Sequence, residues 1–220
     1  GIVIVRYKGA SAGTGGTVST GTGSSTGYTL QTFTSGGTLA LGAMTPTLSG
    51  VISGSGGLTV NANDGSVTFT GVNTYSGNTS ITGGAVVIGG AGSLGSGTYA
   101  GAISNAGTFK YSSSAGQLLS GTISGAGTLI KDTSATSTLT LTGNNSYSGA
   151  TTIGAGTLQI GNGGTSGTLG TAAVTDNAAL VFNRSDDVTV ANAISGSGTV
   201  TKSGSNTLTL TANGSYSGVT

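Results

Sequence analysis

The sequence has little of the side-chain chemistry on which catalysis and metal binding depend. Its 220 residues include no His, Cys, Trp or Glu, and charged residues make up 5%, against about 25% in an average globular domain. General acid–base and nucleophilic catalysis rely mainly on these side chains. We therefore expect no enzymatic activity, no catalytic residue, no cofactor and no metal site.

Other absences narrow the class of protein. The lack of Cys excludes a disulfide framework and fits an exported chain that crosses a membrane pore unfolded. A net charge of +1 with scattered basic residues argues against nucleic acid and anionic lipid as partners. No apolar stretch approaches the roughly 20 residues of a membrane helix, so we expect no membrane insertion by this segment. The final residues, 217–220, stop inside a motif, which favours an excerpt of a longer chain.

The abundant residues point to β-structure. The sequence contains 45 Gly, but hydrophobic residues make up 35%. They fall in short alternating runs such as 66–70 (SVTFT) and 207–211 (TLTLT). A period of two predicts half-buried strands, and the intervening Gly, Asn and Ser are typical of turns. No segment has a helical period, so the chain is predicted to be all-β.

An internal repeat organises the chain. The pentapeptide Ile-Ser-Gly-Ser/Ala-Gly occurs at 52–56, 123–127 and 194–198. The offset in numbering is the same both times (123 − 52 = 194 − 123 = 71). A second motif, Xaa-Xaa-Tyr-Ser-Gly, follows at 73–77 and 145–149, and again near the end of the chain. Recurrence at a fixed period is the signature of a solenoid.

The fold predicted from this repeat is a right-handed parallel β-helix, or β-solenoid. Coils of roughly 20 to 25 residues would stack about 4.8 Å apart, with about three coils in each 71-residue repeat. The predicted divisions are a Gly-rich β-module end or N-terminal cap at 1–31, solenoid repeats at 32–220, and within the latter a partial unit at 32–51, units at 52–122 and 123–193, and a partial unit at 194–220.

The succession of repeat motifs resembles a known family. Ile-Ser-Gly-Ser-Gly, Leu-Thr-Leu-Thr-Gly, Asn-Xaa-Tyr-Ser-Gly and Gly-Thr-Leu-Gln-Ile-Gly together resemble the passenger-associated repeats of bacterial autotransporter proteins, over roughly 32–220. Unit 52–122 departs in having SVTF at 66–69 and GAVVI at 84–88, both of which keep the alternating polarity. The start of the chain, with GIVIVRY at 1–7, is similar to the closing strand of Gly-rich domains in phage fibres and bacterial surface proteins.

The resemblance implies an extracellular or cell-surface β-helical passenger without an active site. The leading hypothesis is a structural or adhesive shaft. One alternative is a self-assembling subunit of an extracellular fibre, and another is a carbohydrate-binding or carbohydrate-active β-helix. The expected partners are further copies of the chain, associated end to end or laterally, or glycans and proteins of a host or cell surface.

The acidic residues are poor candidates for a site. Asp186 and Asp187 are adjacent, and neighbours on a strand point to opposite faces, so a solvated turn is the preferred interpretation. Asp64, Asp132 and Asp176 occupy no regular ladder of the kind that calcium-binding solenoids carry. Pectin-cleaving β-helices need clustered carboxylates with a basic residue. The neighbouring pair of Lys131 and Asp132 is instead expected to give at most a surface ion pair.

Recurring aromatic and hydroxyl residues have competing interpretations. Tyr75, Tyr147 and Tyr216 could form an aromatic platform for sugars, but their spacing of about three coils favours each Tyr fastening its own corner. Thr-Xaa-Thr runs at 68–70 and 138–142, with a third at 207–211, are similar to those of ice-binding solenoids. They recur once per unit and not in every coil, which favours ordinary solvent-facing strands. Glycosylation sequons, relevant only in a glycosylating host, begin at Asn78, Asn144, Asn183 and Asn213.

Overall fold

The fold is described from a computed structural model of the chain. It describes residues 3–8, 13–14, 17–20, 28–33, 38–40 and 45–218, and before residue 45 it describes backbone strands only. Within these residues the elements are β-strands and one short 3-10 turn, Gly95–Gly97. None of the described residues belongs to a helix long and apolar enough to span a membrane. The all-β prediction is confirmed.

The strands are, in chain order, β1 (Val3–Lys8), β2 (Gly13–Thr14), β3 (Thr17–Thr20), β4 (Tyr28–Phe33), β5 (Thr38–Ala40), β6 (Thr47–Leu48), β7 (Leu58–Phe69), β8 (Thr79–Gly90), β9 (Thr98–Tyr99), β10 (Ile103–Asn105), β11 (Thr108–Ser113), β12 (Gln117–Leu119), β13 (Ile123–Ser124), β14 (Thr128–Lys131), β15 (Thr138–Leu141), β16 (Thr151–Ile153), β17 (Thr157–Ile160), β18 (Val174–Asp176), β19 (Ala179–Asn183), β20 (Val188–Val190), β21 (Ile194–Gly196), β22 (Thr199–Ser203), β23 (Leu208–Leu210) and β24 (Ser215–Tyr216).

The pairing near the start of the chain differs from the rest. Strands β1, β4 and β3 form an antiparallel three-stranded sheet in that order, and β2 pairs antiparallel with β5. Strand β5 then pairs in parallel with β7. The interpretation of 1–31 as the end of a Gly-rich module stays a prediction, because the segments between these strands lie outside the described residues.

From β7 onward the chain winds as a β-solenoid with three parallel faces. Face A contains the first halves of β7 and β8, then β10 and β13, and later β20 and β23. Face B runs without interruption from β6 through the second halves of β7 and β8 to β11, β14, β16, β18, β21 and β24. Face C joins β9, β12, β15, β17, β19 and β22.

Less regular segments complete faces A and C. On face A, the Ser146 N–H donates to the Ile123 carbonyl, and the Thr171 N–H donates to the Tyr147 carbonyl. At the start of face C, the Thr74 N–H donates to the Ile52 carbonyl. The backbone groups of these segments are therefore paired with the neighbouring coil, as buried backbone groups require.

Coil length agrees with the prediction from the sequence. Ile103 pairs with Thr79 in the coil below and with Ile123 in the coil above. Successive coils therefore advance the numbering by 24 (103 − 79) and then by 20 (123 − 103) at this point. The described part of the chain forms about eight turns. The predicted parallel β-solenoid is confirmed.

The 71-residue repeat does not return to the same face. Ile52 lies on face C, Ile123 on face A and Ile194 on face B. One repeat therefore spans three complete coils plus one face of the next coil. The prediction of about three coils per repeat is close to this value. The same rotation carries the Val67 and Phe69 motif of face B to β15 on face C and β23 on face A.

The core is a continuous column of inward side chains. In β11, β14, β15 and β17 every second residue is buried, which is the alternation predicted from the sequence. Full burial of an aliphatic or aromatic side chain contributes about 1.5–3 kcal/mol relative to exposure. On face B the inward column includes Phe69, Ile88, Tyr111, Lys131, Ile153 and Asp176, so it is mostly apolar with two charged residues.

Some corners require glycine because adjacent coils approach closely. A Cβ at Gly121 would lie 2.2 Å from the Gly101 carbonyl oxygen of the preceding coil, well inside van der Waals contact. At Gly56 and Gly50, by contrast, an added Cβ would meet no atom within 4 Å. The high Gly content therefore includes both positions that the stacking demands and positions that it tolerates.

Candidate functional surface

The two adjacent carboxylates at the turn after β19 have separate partners. Asp186 accepts hydrogen bonds from Arg184, from Nε at 2.9 Å and from Nη2 at 2.6 Å. Asp187 accepts one from the Thr207 N–H at 2.7 Å, in the next coil. Arg184 holds the pKa of the Asp186 carboxyl below its usual range. The two carboxyls do not share a ligand site, and the interpretation of this pair as a surface turn is confirmed.

Arg184 also anchors the Gly-rich insertion at 161–167. Its Nη1 donates to the Gly167 carbonyl at 2.7 Å, and its Nη2 donates to the Thr165 carbonyl. The side chain is therefore a strut between the insertion and the turn that carries Asp186. Sequence reasoning missed this role, because the partners of Arg184 are backbone carbonyls 17 and 19 residues away.

The ion pair expected at Lys131 and Asp132 forms with a different lysine. Asp132 lies 2.5 Å from Nζ of Lys110, one coil earlier on face B, and this contact lowers the pKa of the Asp132 carboxyl. Lys131 instead points into the core, where Nζ donates to the carbonyl of Ala155 at 3.0 Å and to that of Ser134 at 3.4 Å. Burial lowers the pKa of its ammonium group, although Asp132 opposes the shift.

The remaining acidic residues do not assemble into a cluster. Asp64 belongs to β7, Asp132 follows β14 and Asp176 ends β18, so they occupy different coils. Among the residues that the structure describes, no three His, Cys, Asp or Glu side chains lie together as a metal site. The expectation of no catalytic, cofactor or metal site stays a prediction.

The recurring tyrosines are internal fasteners. Tyr75 and Tyr147 are buried, and their hydroxyls lie 2.7 Å and 2.8 Å from Oγ1 of Thr79 and Thr151, respectively. Burial raises the pKa of both phenols. The prediction that each Tyr fastens its own corner is confirmed at these two positions, whereas Tyr216 is half-buried.

A threonine partner four residues after each tyrosine was not recognised from the sequence. In the first copy, Thr79 also bonds to the hydroxyl of Tyr99 at 2.8 Å, and the rings of Tyr75 and Tyr99 pack edge to face at 5.4 Å. The signal was present, because Thr follows Tyr at the same spacing in all three copies of the motif.

Asparagines of the same motif complete the corners. Asn73 Oδ1 accepts a hydrogen bond from the Ile52 N–H at 2.9 Å, and Asn145 Oδ1 accepts one from the Ile123 N–H at 2.8 Å. Each side chain thus bonds to the preceding coil. The Asn and Tyr side chains of Asn-Xaa-Tyr-Ser-Gly at 73–77 and 145–149 therefore stabilise the stacking of coils and do not face solvent as binding residues.

The Thr-Xaa-Thr runs do not form one flat array. The runs at 68–70, 138–142 and 207–211 lie on faces B, C and A respectively, because of the rotation between repeats. Ice-binding arrays need one face with Thr in successive coils, so the preferred interpretation as ordinary outward strand positions is supported. Of the residues that begin sequons, Asn78, Asn144 and Asn213 are exposed and Asn183 is half-buried.

The described surface has a small cavity and few exposed large apolar residues. A cavity of about 160 Å³ lies between faces C and A, with walls that include Ile160, Leu169, Phe182 and Val190. Its lining contains no charged side chain. Val51 and Val72 are the large apolar residues that are exposed among those described from 45 to 218. The surface is otherwise mostly small and hydroxyl-bearing.

Comparison with known proteins agrees with this architecture. The family model described as passenger-associated-transport-repeat matches residues 63–88, 136–160 and 200–220. Each match contains one Tyr-Ser-Gly motif. The three matched segments thus correspond to the recurring corner that the Tyr and Asn side chains fasten.

A curated relative is similar over most of the chain. It is the Adhesin BmaC autotransporter of Brucella suis biovar 1 (strain 1330), 39% identical over 186 residues and 76% of this chain. The chain spans only 5% of that protein's length. No solved structure matches the chain. The repeat motifs, the solenoid that they build and these matches together show that the chain carries repeats of the autotransporter passenger-associated type.

Proposed function

We propose that the chain is a non-catalytic shaft segment of an exported autotransporter passenger, displayed outside the bacterial cell, where it extends and makes contact. The observation that carries the proposal is the continuous parallel stack of face B, whose outward positions are mostly occupied by small and hydroxyl-bearing side chains. In a solenoid each coil contacts only its neighbours, so stability accumulates along the axis. Adding repeats to the sequence therefore lengthens the shaft without changing its fold.

The distribution of charge supports a structural and not a chemical role. Lys110 pairs with Asp132, Arg184 pairs with Asp186, and Lys131 bonds to backbone carbonyls inside the core. These groups are occupied by contacts within and between coils. Reaction chemistry requires functional groups that converge on a substrate, and here the polar groups converge on the backbone.

The name of the relative supports a contact role. That protein is called an adhesin, and this chain matches a small part of it. We propose that the outward strands of this segment contribute to adhesion either by contacting proteins or glycans of another surface or by extending a binding region that lies elsewhere in a longer protein.

Two alternatives lead to different behaviour of the purified chain. A fibre subunit would join end to end, because an open solenoid end offers unpaired backbone groups to an identical chain. A carbohydrate-binding solenoid would be stabilised by its sugar through mass action. The geometry favours the shaft, since Tyr75 and Tyr147, two of the three recurring tyrosines that could form a platform for sugars, are buried.

Small-angle X-ray scattering and sedimentation over a hundredfold range of concentration test the shaft. We expect an elongated monomer whose cross-section does not change with concentration. Growth in length with concentration would instead establish the fibre, and a compact globular profile would refute the shaft.

The adhesive role needs a separate measurement. Fluorescent beads coated with the chain are applied to cultured epithelial cells and to a glycan array, with beads carrying Leu139→Asp as the control, because a charge at this buried position opens the solenoid. Binding by the native chain alone supports contact by this segment. Equal binding by both bead types contradicts it.

A further inference from the structure

Asp176 lies in the inward column of face B with one oxygen unpaired. The residue is fully buried, and Oδ1 accepts a hydrogen bond from the Ala178 N–H at 3.0 Å. Oδ2 is buried and has no hydrogen-bond partner. An ionised carboxylate in such a place has lost its hydration without full replacement, which is costly.

The preceding repeat has an asparagine at the same position. Asn105 precedes Asp176 by one repeat period (176 − 105 = 71), and its Oδ1 accepts the equivalent hydrogen bond from the Gly107 N–H at 3.1 Å. The backbone corners also match. Gly127 N–H donates to the Asn105 carbonyl and Gly198 N–H donates to the Asp176 carbonyl, both at 2.8 Å.

The difference lies in the second side-chain atom. Asn105 Nδ2 donates to the Thr128 carbonyl at 2.9 Å. The corresponding carbonyl one repeat later is that of Thr199 (128 + 71), because Ala179 pairs with Thr199 as Thr108 pairs with Thr128. At the side-chain atom equivalent to Asn105 Nδ2, Asp176 has an oxygen and not a donor. Only a proton on the carboxyl restores that donor.

Among the described residues packed around Asp176, no basic side chain replaces the missing donor. The strands paired with β18 on face B are β16 (TTI) and β21 (ISG), which carry no titratable side chain. Lys131 lies two coils away in the same column, with Ile153 between, and its ammonium bonds to backbone carbonyls. Lys202 of β22 bonds to Asn206 Oδ1 at 2.6 Å.

Two other titratable groups nearby are also occupied. The Tyr147 hydroxyl bonds to Thr151, and Arg184, which follows β19, bonds to Asp186. Burial raises the pKa of the Asp176 carboxyl, and the backbone N–H groups of Ala178 and Leu180 offset only part of the shift.

We propose that Asp176 is a proton switch in the solenoid core, which closes its corner when the carboxyl carries a proton for the Thr199 carbonyl and loosens that corner when it is ionised. The folded chain then binds this proton more strongly than the unfolded chain. The contribution of Asp176 to the free energy of unfolding is therefore greatest in acid, falls as the pH rises from the ordinary carboxyl range through the raised pKa, and is level above it.

The direct test is a carboxyl ¹³C titration of the 220-residue chain labelled at Asp, with Asp176→Asn to assign its signal. We expect the Asp176 carboxyl to titrate above the other Asp residues. Titration at or below the ordinary Asp range of about 4 would overturn the proposal.

A matched pair of variants tests the consequence for the fold. In Asp176→Asn, we expect the amide protection of Gly198 at pH 7 to rise about tenfold or more after correction for intrinsic exchange, since the amide supplies the donor that the ionised carboxyl lacks. At pH 4 the gain should shrink. Asn105→Asp should introduce a pH dependence at its own corner, so that the amide protection of Gly127 falls below the native value as the pH rises.

The two variants keep the proposal falsifiable independently. If Asp176→Asn gives the same protection as the native chain at both pH values, or if Asn105→Asp shows no dependence on pH at its own corner, the switch is refuted. Should Asn105→Asp fail to fold, the titration and Asp176→Asn still decide. Should Asp176→Asn fail to fold, the pH dependence of Asn105→Asp decides.

Discussion

The phenol oxygen of Tyr147 and Oγ1 of Thr151 lie 2.8 Å apart inside the solenoid, four residues apart in sequence, and Tyr75 and Thr79 repeat the contact at 2.7 Å. We predict that Tyr147→Phe destabilises the chain by about 1–2 kcal/mol, because it leaves the buried Thr151 hydroxyl without its partner. Urea unfolding followed by circular dichroism measures the loss.

A double-mutant cycle with Thr151→Val isolates this hydrogen bond. The double variant should recover part of the loss, because removal of both polar groups is less costly than removal of one. Strictly additive effects would show that the Tyr147 hydroxyl contributes through other contacts.

Two glycine substitutions separate close coil stacking from ordinary turn preference. Gly121→Ala should cost about 2 kcal/mol or more, since its Cβ would lie 2.2 Å from the Gly101 carbonyl oxygen of the preceding coil. Gly56→Ala, whose added Cβ would have no atom within 4 Å, should change stability by about 0.5 kcal/mol or less. Thermal unfolding of both variants compares them, and equal shifts would contradict the proposed role of stacking.

The Lys110–Asp132 pair should contribute weakly and in a pH-dependent manner. Both side chains are 33% exposed, so solvent screening limits the pair to about 0–1 kcal/mol. Because the folded pKa of Asp132 is lowered, the contribution is present above the ordinary carboxyl pKa and is lost as the pH falls through the lowered value. Unfolding of Lys110→Gln should approach that of the native chain near pH 2 and at 1 M salt, whereas a difference that persists in acid would argue against the ion pair.

Arg184 should control the insertion at 161–167. Arg184→Ala removes the donors to the Gly167 and Thr165 carbonyls, so we predict earlier cleavage of this loop by a broad-specificity protease such as proteinase K. The control is Lys110→Ala, which removes a basic side chain on another coil. Unchanged cleavage in Arg184→Ala would show that the loop is held by its own backbone contacts.

Much of the fold follows from the sequence because a solenoid is built from local regularities. Alternation in runs such as 138–142 determines which side chains point inward, and recurrence of the motifs at a fixed period indicates stacked coils. A coil length of roughly 20 to 25 residues was therefore predictable, and the register at Ile103 agrees with it. The face on which each motif lies was not predictable from the sequence. It depends on the number of corners in each repeat, and the lengths of the turns vary while the motifs stay the same.

The polar interior was the less predictable part of the candidate site. Lys131 follows the alternation of its strand and lies inward, although charge alone suggested a surface ion pair. Its burial is possible because corner carbonyls face it, and these belong to Ser134 and to Ala155 of the next coil. A partner 24 residues away in sequence, such as Ala155, leaves no local signal. The unpaired oxygen of Asp176 likewise depends on packing between coils.

The displacement of each repeat by one face also bears on the shape of a long shaft. Three repeats comprise ten coils and return every motif to its starting face, which gives an axial period of about 48 Å at about 4.8 Å per coil. Over that period each side of the rod receives the same set of strands and corners. If the strands and corners of one side bend the rod, the same features on the other two sides bend it equally in other directions. A shaft built from such repeats is therefore straight on average, and its surface features follow a helical path around the axis.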